Sequence, residues 1–265
     1  MCYIGDRREL YMILAIDIGN TNIAIGGLCG DELCFVARIS TDATKTSDEY
    51  ASKIIHLLSI YDISRTSIDG AIISSVVPPL NSVMKNAVKF AYGVTPLLVG
   101  PGIKTGLNIH CDNPVSVGSD IICACVAACK LYGAPALVVD MGTATKMMVV
   151  DKRGTFIGVS IMPGVLMGLR GLSEGTAQLP QVSLEAPPAV IGKNTVDCMK
   201  SGAIFGNASM IDGMIDRFSE EYGERLPVFA TGGLASSIAS YCKHDITVDE
   251  NMVLKGLNII YKKNV

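Results

Sequence analysis

No apolar segment of this 265-residue chain approaches the roughly 20 residues that a bilayer-spanning helix needs. No dense run of Lys or Arg occurs either. With a formal net charge of -3 and a pI near 5.6, the chain carries no electrostatic footprint for nucleic acid or for an anionic membrane surface. The opening Met1-Cys-Tyr-Ile-Gly-Asp-Arg-Arg lacks the basic-then-apolar order of a secretory signal, and the short run Ile13 to Ile18 is better used as a strand. There is no C-x-x-C pair among the nine cysteines. Their odd number and apolar surroundings suit reduced core thiols, and Cys111, Cys123, Cys125 and Cys129 beside His110 are poorly spaced for a metal. Charged residues make up only 18% against 49% hydrophobic, so disorder is not indicated and a substantial core is. A cytoplasmic protein is expected, with neither nucleic acid nor membrane as partner.

What the chain does have is an internal echo. Ile13-Leu-Ala-Ile-Asp17-Ile-Gly19-Asn20-Thr21-Asn22 is matched by Ala136-Leu-Val-Val-Asp140-Met-Gly142-Thr143-Ala144-Thr145. Each apolar run reads as a buried strand, glycine permits the tight turn after it, and the next run returns as a hairpin partner. One Asp-Gly turn is an ordinary hairpin signal. Two of them suit a phosphate grip: Gly19 and Gly142 leave backbone N–H groups unobstructed, while Asn20, Thr21, Thr143 and Thr145 add small donors. Asp17 and Asp140, at strand ends, can hold Mg²⁺ or its waters against a triphosphate. A late Thr231-Gly232-Gly233 could clear space for a purine. Together these describe an ATP site in a cleft between two related domains, a location ligands favour.

Residues 1–11 read as an extended or disordered tail. The order that follows is β-β-β-α-β-α-β, with a helix over 46–61 capped at Thr46 or Ser47, and Asp112-Asn-Pro114 marking the crossing into a second half. The N-terminal domain is thus expected over 12–115 and the C-terminal domain over 116–265. Asp120 is placed at the N-terminus of a helix from about Ile121 to Leu131, where capping is the ordinary role of an Asp. Further strands are expected over 136–140, 144–151, 155–161 and 228–231, and helices after Pro163-Gly164, over 195–222 and over 251–262. Gly202 and Gly206 inside the long helix suggest close packing on a neighbouring backbone, for which a dimer interface is one candidate.

The paired turns resemble the actin, sugar-kinase and Hsp70 superfamily. That implies two ribonuclease H-like α/β domains with mixed five-stranded sheets, flanking helices and a cleft between them. Within it, the run 12–22, the loop Gly100 to Leu107, Gly118-Ser-Asp120, Asp140 to Thr145, Pro163-Gly164, Thr176 to Pro180, Ile191 to Thr195, Ser201-Gly202 and Thr231-Gly-Gly-Leu234 resemble type III pantothenate kinase, in order and at matching spacing. The resemblance implies a homodimer that phosphorylates pantothenate with ATP at the start of coenzyme A synthesis. It also implies Mg²⁺ and a monovalent cation, K⁺ or NH₄⁺. By motif, Asp17, Gly19, Asn20, Thr21, Gly142, Thr143, Thr145, Gly232 and Gly233 would bind ATP and its phosphates, and Asp17 and Asp140 the metal. Asp120 would be the catalytic base. Lys104, Thr105, Gly106, Leu107 and Gly118 would line the pantothenate pocket, and Thr176 would reach it from the other subunit.

The departures from the family pattern cluster. Ile121 and His110 stand where the family typically has Arg, Cys111 where it has an aromatic residue, and Lys146-Met147-Met148 where it reads Thr-Phe-Asp. A lost charge-assisted bond to the carboxylate of pantothenate costs about 1.5 to 3 kcal/mol, or roughly ten- to a hundredfold in affinity. Lys146 could stand in for the monovalent cation. A non-catalytic or regulatory dimeric paralogue, or a kinase with a shifted acceptor, are the alternatives these departures raise.

Overall fold

The computed structural model describes residues 11–265, so the expected N-terminal tail lies almost wholly outside the described residues. In chain order the elements are β1 (Met12–Ile18), β2 (Asn22–Cys29), β3 (Glu32–Ser40), α1 (Ser47–Ile60), β4 (Ile68–Ser75), α2 (Leu80–Tyr92), β5 (Leu97–Leu98), β6 (Asn108–Ile109) and α3 (Ser119–Leu131). There follow β7 (Ala136–Met141), β8 (Ala144–Val150), β9 (Thr155–Pro163), α4 (Val165–Gly175), α5 (Thr195–Ser201), α6 (Asn207–Tyr222), β10 (Val228–Thr231), α7 (Ala235–Ala239), β11 (Ile246–Val248) and α8 (Met252–Lys262). Among the described residues no helix is long and apolar enough to cross a membrane.

Contacts divide the chain into two compact units. The first takes the chain up to Gly106, Val115–Ala127 and Val253–Val265; the second takes Leu107–Pro114 and Ala128–Met252. A single cut between 115 and 116 therefore does not match how the contacts fall. The reason is visible in the first unit: α8 approaches α3 so closely that a Cβ on Gly256 would run into the Cys123 carbonyl. That approach ties the last helix of the chain to the first sheet.

The first unit is built on a five-stranded sheet in the order β3-β2-β1-β4-β5. The central strand β1 runs antiparallel to β2 and parallel to β4. Leu14, Ala15 and Ile16 are fully buried in succession, as expected for a strand covered on both faces. The helix α1 starts at a complete capping box: the Thr46 hydroxyl accepts from the Glu49 amide, and the Glu49 carboxylate accepts from the Thr46 amide. Its stripe of Tyr50, Ala51, Ile54 and Leu58 packs into the core with Met84 and Val88 of α2.

The second unit carries a six-stranded sheet, β11-β10-β7-β8-β9-β6. Taken from β9 to β11 it repeats the first sheet: a three-strand antiparallel meander, then a strand parallel to the first of the three, then a short edge strand. The expectation of five strands is corrected by β6, whose Asn108 and Ile109 pair in parallel with Thr155 and Phe156 of β9. Neither β6 nor β11 is long enough to show a period of two, which is why the sequence pattern did not mark them. The long helix over 195–222 is interrupted by a π-helical turn at Gly202–Gly206. A Cβ on either glycine would meet nothing within 4 Å among the described residues, so the close packing expected there is not supplied by them.

Candidate active site

The first turn, Gly19-Asn20-Thr21, joins β1 to β2. Gly19 donates its amide to the Asn22 carbonyl at 3.0 Å, and a Cβ there would sit 3.0 Å from that same oxygen. Its amide thus closes the hairpin instead of facing a ligand, and glycine is needed for tightness. Asn20 and Thr21 are exposed, and Asp17 is half-buried at the end of the strand. Thr41, the residue after β3, braces the turn. Its hydroxyl donates to the Gly19 carbonyl at 2.6 Å and its amide to the Thr21 carbonyl at 3.0 Å. Nothing in the local sequence pattern marks Thr41 for this.

The second turn repeats the device. Gly142 donates to the Ala144 carbonyl at 3.2 Å, and Thr143 is exposed. Thr145 is buried in β8, opposite Met141, so its hydroxyl is not displayed on the turn beside Thr143. The brace here is Gly164, the residue after β9: a Cβ on it would lie 2.5 Å from the Gly142 carbonyl oxygen and would strike the Thr143 carbonyl. Gly232, at φ +93, is held against the same place, since a Cβ on it would lie 2.7 Å from the Met141 carbonyl and 2.8 Å from Asp140 Oδ1. Its glycine is therefore required by the Asp140 turn itself, while Gly233 faces open space.

Asp140 does not stand as a bare carboxylate. Cross-strand register sets it opposite Lys146, and Lys146 Nζ lies 2.8 Å from Asp140 Oδ2, with both side chains 15% exposed. Asp17, its counterpart in the first sheet, faces Ala24 instead. Met147 and Met148, which follow Lys146, are core residues with no exposure.

Asp120 lies in the first turn of α3, which begins at Ser119, two residues earlier than expected. Its Oδ1 accepts from the Ile121 amide at 2.8 Å, so the carboxylate folds back over the helix start. Gly118 makes that possible, because a Cβ at 118 would sit 2.5 Å from Asp120 Oδ1. Ile121 is itself 6% exposed and joins the packed side of α3. The loop Lys104–Gly106 is stapled to the chain terminus: the Lys104 amide donates to Asn264 Oδ1 and Asn264 Nδ2 donates to the Lys104 carbonyl, both at 3.0 Å. Gly106, at φ +75, lies under Lys263. Leu107 is buried in the second unit, His110 is exposed and continues the β6 pairing through its amide to Phe156, and Thr176 is exposed just past α4.

Among the described residues no group of three or more His, Cys, Asp or Glu is placed to hold a metal ion. The described cysteines are free, and Cys123 and Cys125 are buried. Single carboxylates at strand ends are nonetheless what Mg²⁺ uses when it arrives on a triphosphate, keeping waters and phosphate oxygens as its other ligands. One more observation fits a bound polar ligand near the second turn. Thr231, beside Asp140 in the β10–β7 register, has a buried hydroxyl without a hydrogen-bond partner among the described residues, an arrangement that costs about 1 to 3 kcal/mol unless something outside the chain satisfies it.

A sequence model of the family described as type III pantothenate kinase matches residues 13–217. A protein of Exiguobacterium sp. named type III pantothenate kinase is 42% identical over 253 residues, covering 96% of this chain and 99% of that one. Two solved structures share the fold at low identity. The Acidaminococcus fermentans (R)-2-hydroxyglutaryl-CoA dehydratase component A has a TM-score of 0.57 at 15% identity, covering 96% of this chain and 98% of its own. MreB 5 of Spiroplasma citri, bound to AMPPNP, has a TM-score of 0.55 at 9% identity, covering 98% and 97%. The architecture these structures share with this chain is two mixed sheets flanked by helices. Because Gly164 carries the second turn, Gly164→Ala is expected to leave the protein folded and lower ATP affinity roughly tenfold or more, about 1.4 kcal/mol, by calorimetric titration; unchanged affinity would show that the turn does not contact the nucleotide.

Proposed function

The chain belongs to the type III pantothenate kinase family, and from that premise we propose that it transfers the γ-phosphoryl group of ATP to the hydroxyl of pantothenate, the first step of coenzyme A synthesis. The observation that carries this reading is the pairing of two braced, strand-ending turns, Asp17 to Thr21 and Asp140 to Thr143, with a carboxylate at the start of α3. Asp120 accepts the proton of the pantothenate hydroxyl as its oxygen bonds to the γ-phosphorus and the bond to the ADP oxygen breaks. The turns and Gly232-Gly233 hold the nucleotide. Mg²⁺ on the triphosphate, held at Asp17 and Asp140, would neutralise charge on the transferring group. The near-complete match to relatives at 42% identity favours a working kinase over a non-catalytic paralogue.

The loop Lys104–Gly106, with Leu107 and Gly118, lines the acceptor pocket. Packing of Ile121 leaves the pantothenate carboxylate without an arginine from that position, which weakens acceptor binding by roughly ten- to a hundredfold. The enzyme works in the cytoplasm as a homodimer. Supporting the dimer, β9 and α4 turn Ile157, Ile161, Leu166, Met167 and Leu172 to solvent, an apolar surface that a second copy would cover. Thr176, just past α4, then reaches the acceptor pocket of the partner subunit.

Lys146 supplies, from within the chain, the cation that the family draws from solution. Supporting this, its ammonium lies 2.8 Å from Asp140 Oδ2, beside the second turn, where a positive charge offsets that of the carboxylate.

The direct test is ADP release with and without pantothenate. Stimulation by pantothenate should fall by roughly 100- to 10,000-fold in Asp120→Asn, whereas no stimulation in the unaltered protein, with ATP still bound, would move the reading to a shifted acceptor. Turnover of the unaltered protein should be equal in sodium and potassium buffers, and Lys146→Met should either require potassium or be inactive; potassium stimulation of the unaltered protein rejects the built-in cation. Light scattering should give a dimer that Leu166→Glu converts to monomer, and a monomeric unaltered protein would remove Thr176 from the site.

A further inference from the structure

Ser119 stands beside Asp120 but points the other way, into the sheet. Its Oγ accepts from the Ser75 amide at 2.8 Å, donates to the Ser75 carbonyl at 3.1 Å and lies 2.9 Å from Ser74 Oγ. A hydroxyl has one proton, so with that proton on the Ser75 carbonyl it is Ser74 that donates to Ser119. Ser74 is fully buried, Ser119 is 8% exposed, and Cys123 lies one helical turn on from Ser119. The start of α3 is thereby fastened to the end of β4 by a saturated polar cluster inside an apolar core, which fixes geometry more sharply than apolar contact does.

The place of that fastening matters. In the β1–β4 register, Ser74 is the lateral neighbour of Asp17. Burial first, then the charges of Asp17 and Asp120, push the Cys123 thiol well above its ordinary value. The chain of neighbours is Asp17, Ser74, Ser119, Asp120, all within the first unit. The second sheet offers an internal control. There the position beside Asp140 is Thr231, whose hydroxyl has no hydrogen-bond partner among the described residues, so no helix start is fastened to it.

We propose that Ser74 and Ser119 are positioning residues that hold the Asp120 carboxylate in a fixed relation to Asp17, so that the acceptor base and the phosphate-side carboxylate are set by one hydrogen-bonded cluster. The inference rests on Asp120 acting as the base. It assigns no contact with substrate to either serine. A displacement of the base by about 1 Å is enough to cost roughly 100-fold in rate, while nucleotide binding at the turns does not depend on it.

The test is a set of four variants, Ser119→Ala, Ser74→Ala, the double variant and Ser119→Thr, with pantothenate-dependent ADP formation and amide hydrogen exchange as readouts. Expected for Ser119→Ala is a kcat lower by roughly tenfold or more with KM for ATP within about twofold, faster exchange at the Ser75 and Ile121 amides, and recovery of both in Ser119→Thr, which keeps the hydroxyl. The double variant should fall no further than the worse single one, as expected for groups that act as a unit. A kcat for Ser119→Ala equal to the unaltered protein, or an equal loss in Ser119→Thr, would overturn the proposal. Should the unaltered protein show no pantothenate-dependent turnover, the kinase reading fails separately, and the serine pair is then judged on exchange alone: unchanged protection at Ile121 in Ser119→Ala would overturn it.

Discussion

β1 and β7 are interior strands that each carry a carboxylate next to their last residue, and in both halves of this chain the surrounding structure is arranged to make that tolerable. β1 and β7 are each flanked by an antiparallel strand on one side and a parallel strand on the other, so their apolar residues are covered while Asp17 and Asp140 emerge at their ends. The tight turn beyond each must close without a side chain in the way. The glycine amide closes it, and the residue immediately after the third strand of each meander braces it: Thr41 by two hydrogen bonds in the first unit, Gly164 by close backbone approach in the second. Two different physical solutions thus occupy one topological position.

The two halves have diverged around that shared device. Across the hairpin, Asp17 faces Ala24 and Asp140 faces Lys146. One carboxylate therefore has an ammonium 2.8 Å away, and the other has an alanine as its hairpin neighbour. Beside them on the parallel strand, Ser74 is tied into a cluster of hydroxyls and Thr231 carries a buried hydroxyl without a described partner. A kinase needs this kind of inequality. Phosphoryl transfer is mostly positioning and charge neutralisation, and the acceptor side must additionally hold a base. In this chain Asp120, the proposed base, is attached to the half whose strand-end cluster is saturated.

The proposed acceptor elements depend on contacts distant in sequence. Gly118 yields room for the Asp120 carboxylate, and the loop at Lys104 is held by Asn264 from the far end of the chain. The same far end supplies α8, whose Gly256 lets it lie against the backbone of Cys123. The first unit is thus completed only by the last residues of the chain, which is why a boundary drawn along the sequence at 115 misplaces part of α3 and most of α8.

Much of this was legible from residues alone. Long apolar runs ending in Asp, capped helices such as α1 and the repeated Asp-x-Gly turns are local patterns, and local patterns specify strands, helix starts and hairpins. Two-residue strands such as β6 have no period to read, and a glycine in a helix does not say whether it marks close packing or, as at Gly202 to Gly206, a π turn. Tertiary structure decided which side chains meet. It placed Thr145 in the core, gave Lys146 to Asp140 and joined Ser119 to Ser74, because strand register and helix approach depend on the packing of elements far apart in the chain. The sequence by itself determined that two carboxylates would stand at the ends of two buried strands; only the folded chain decided what each would have beside it.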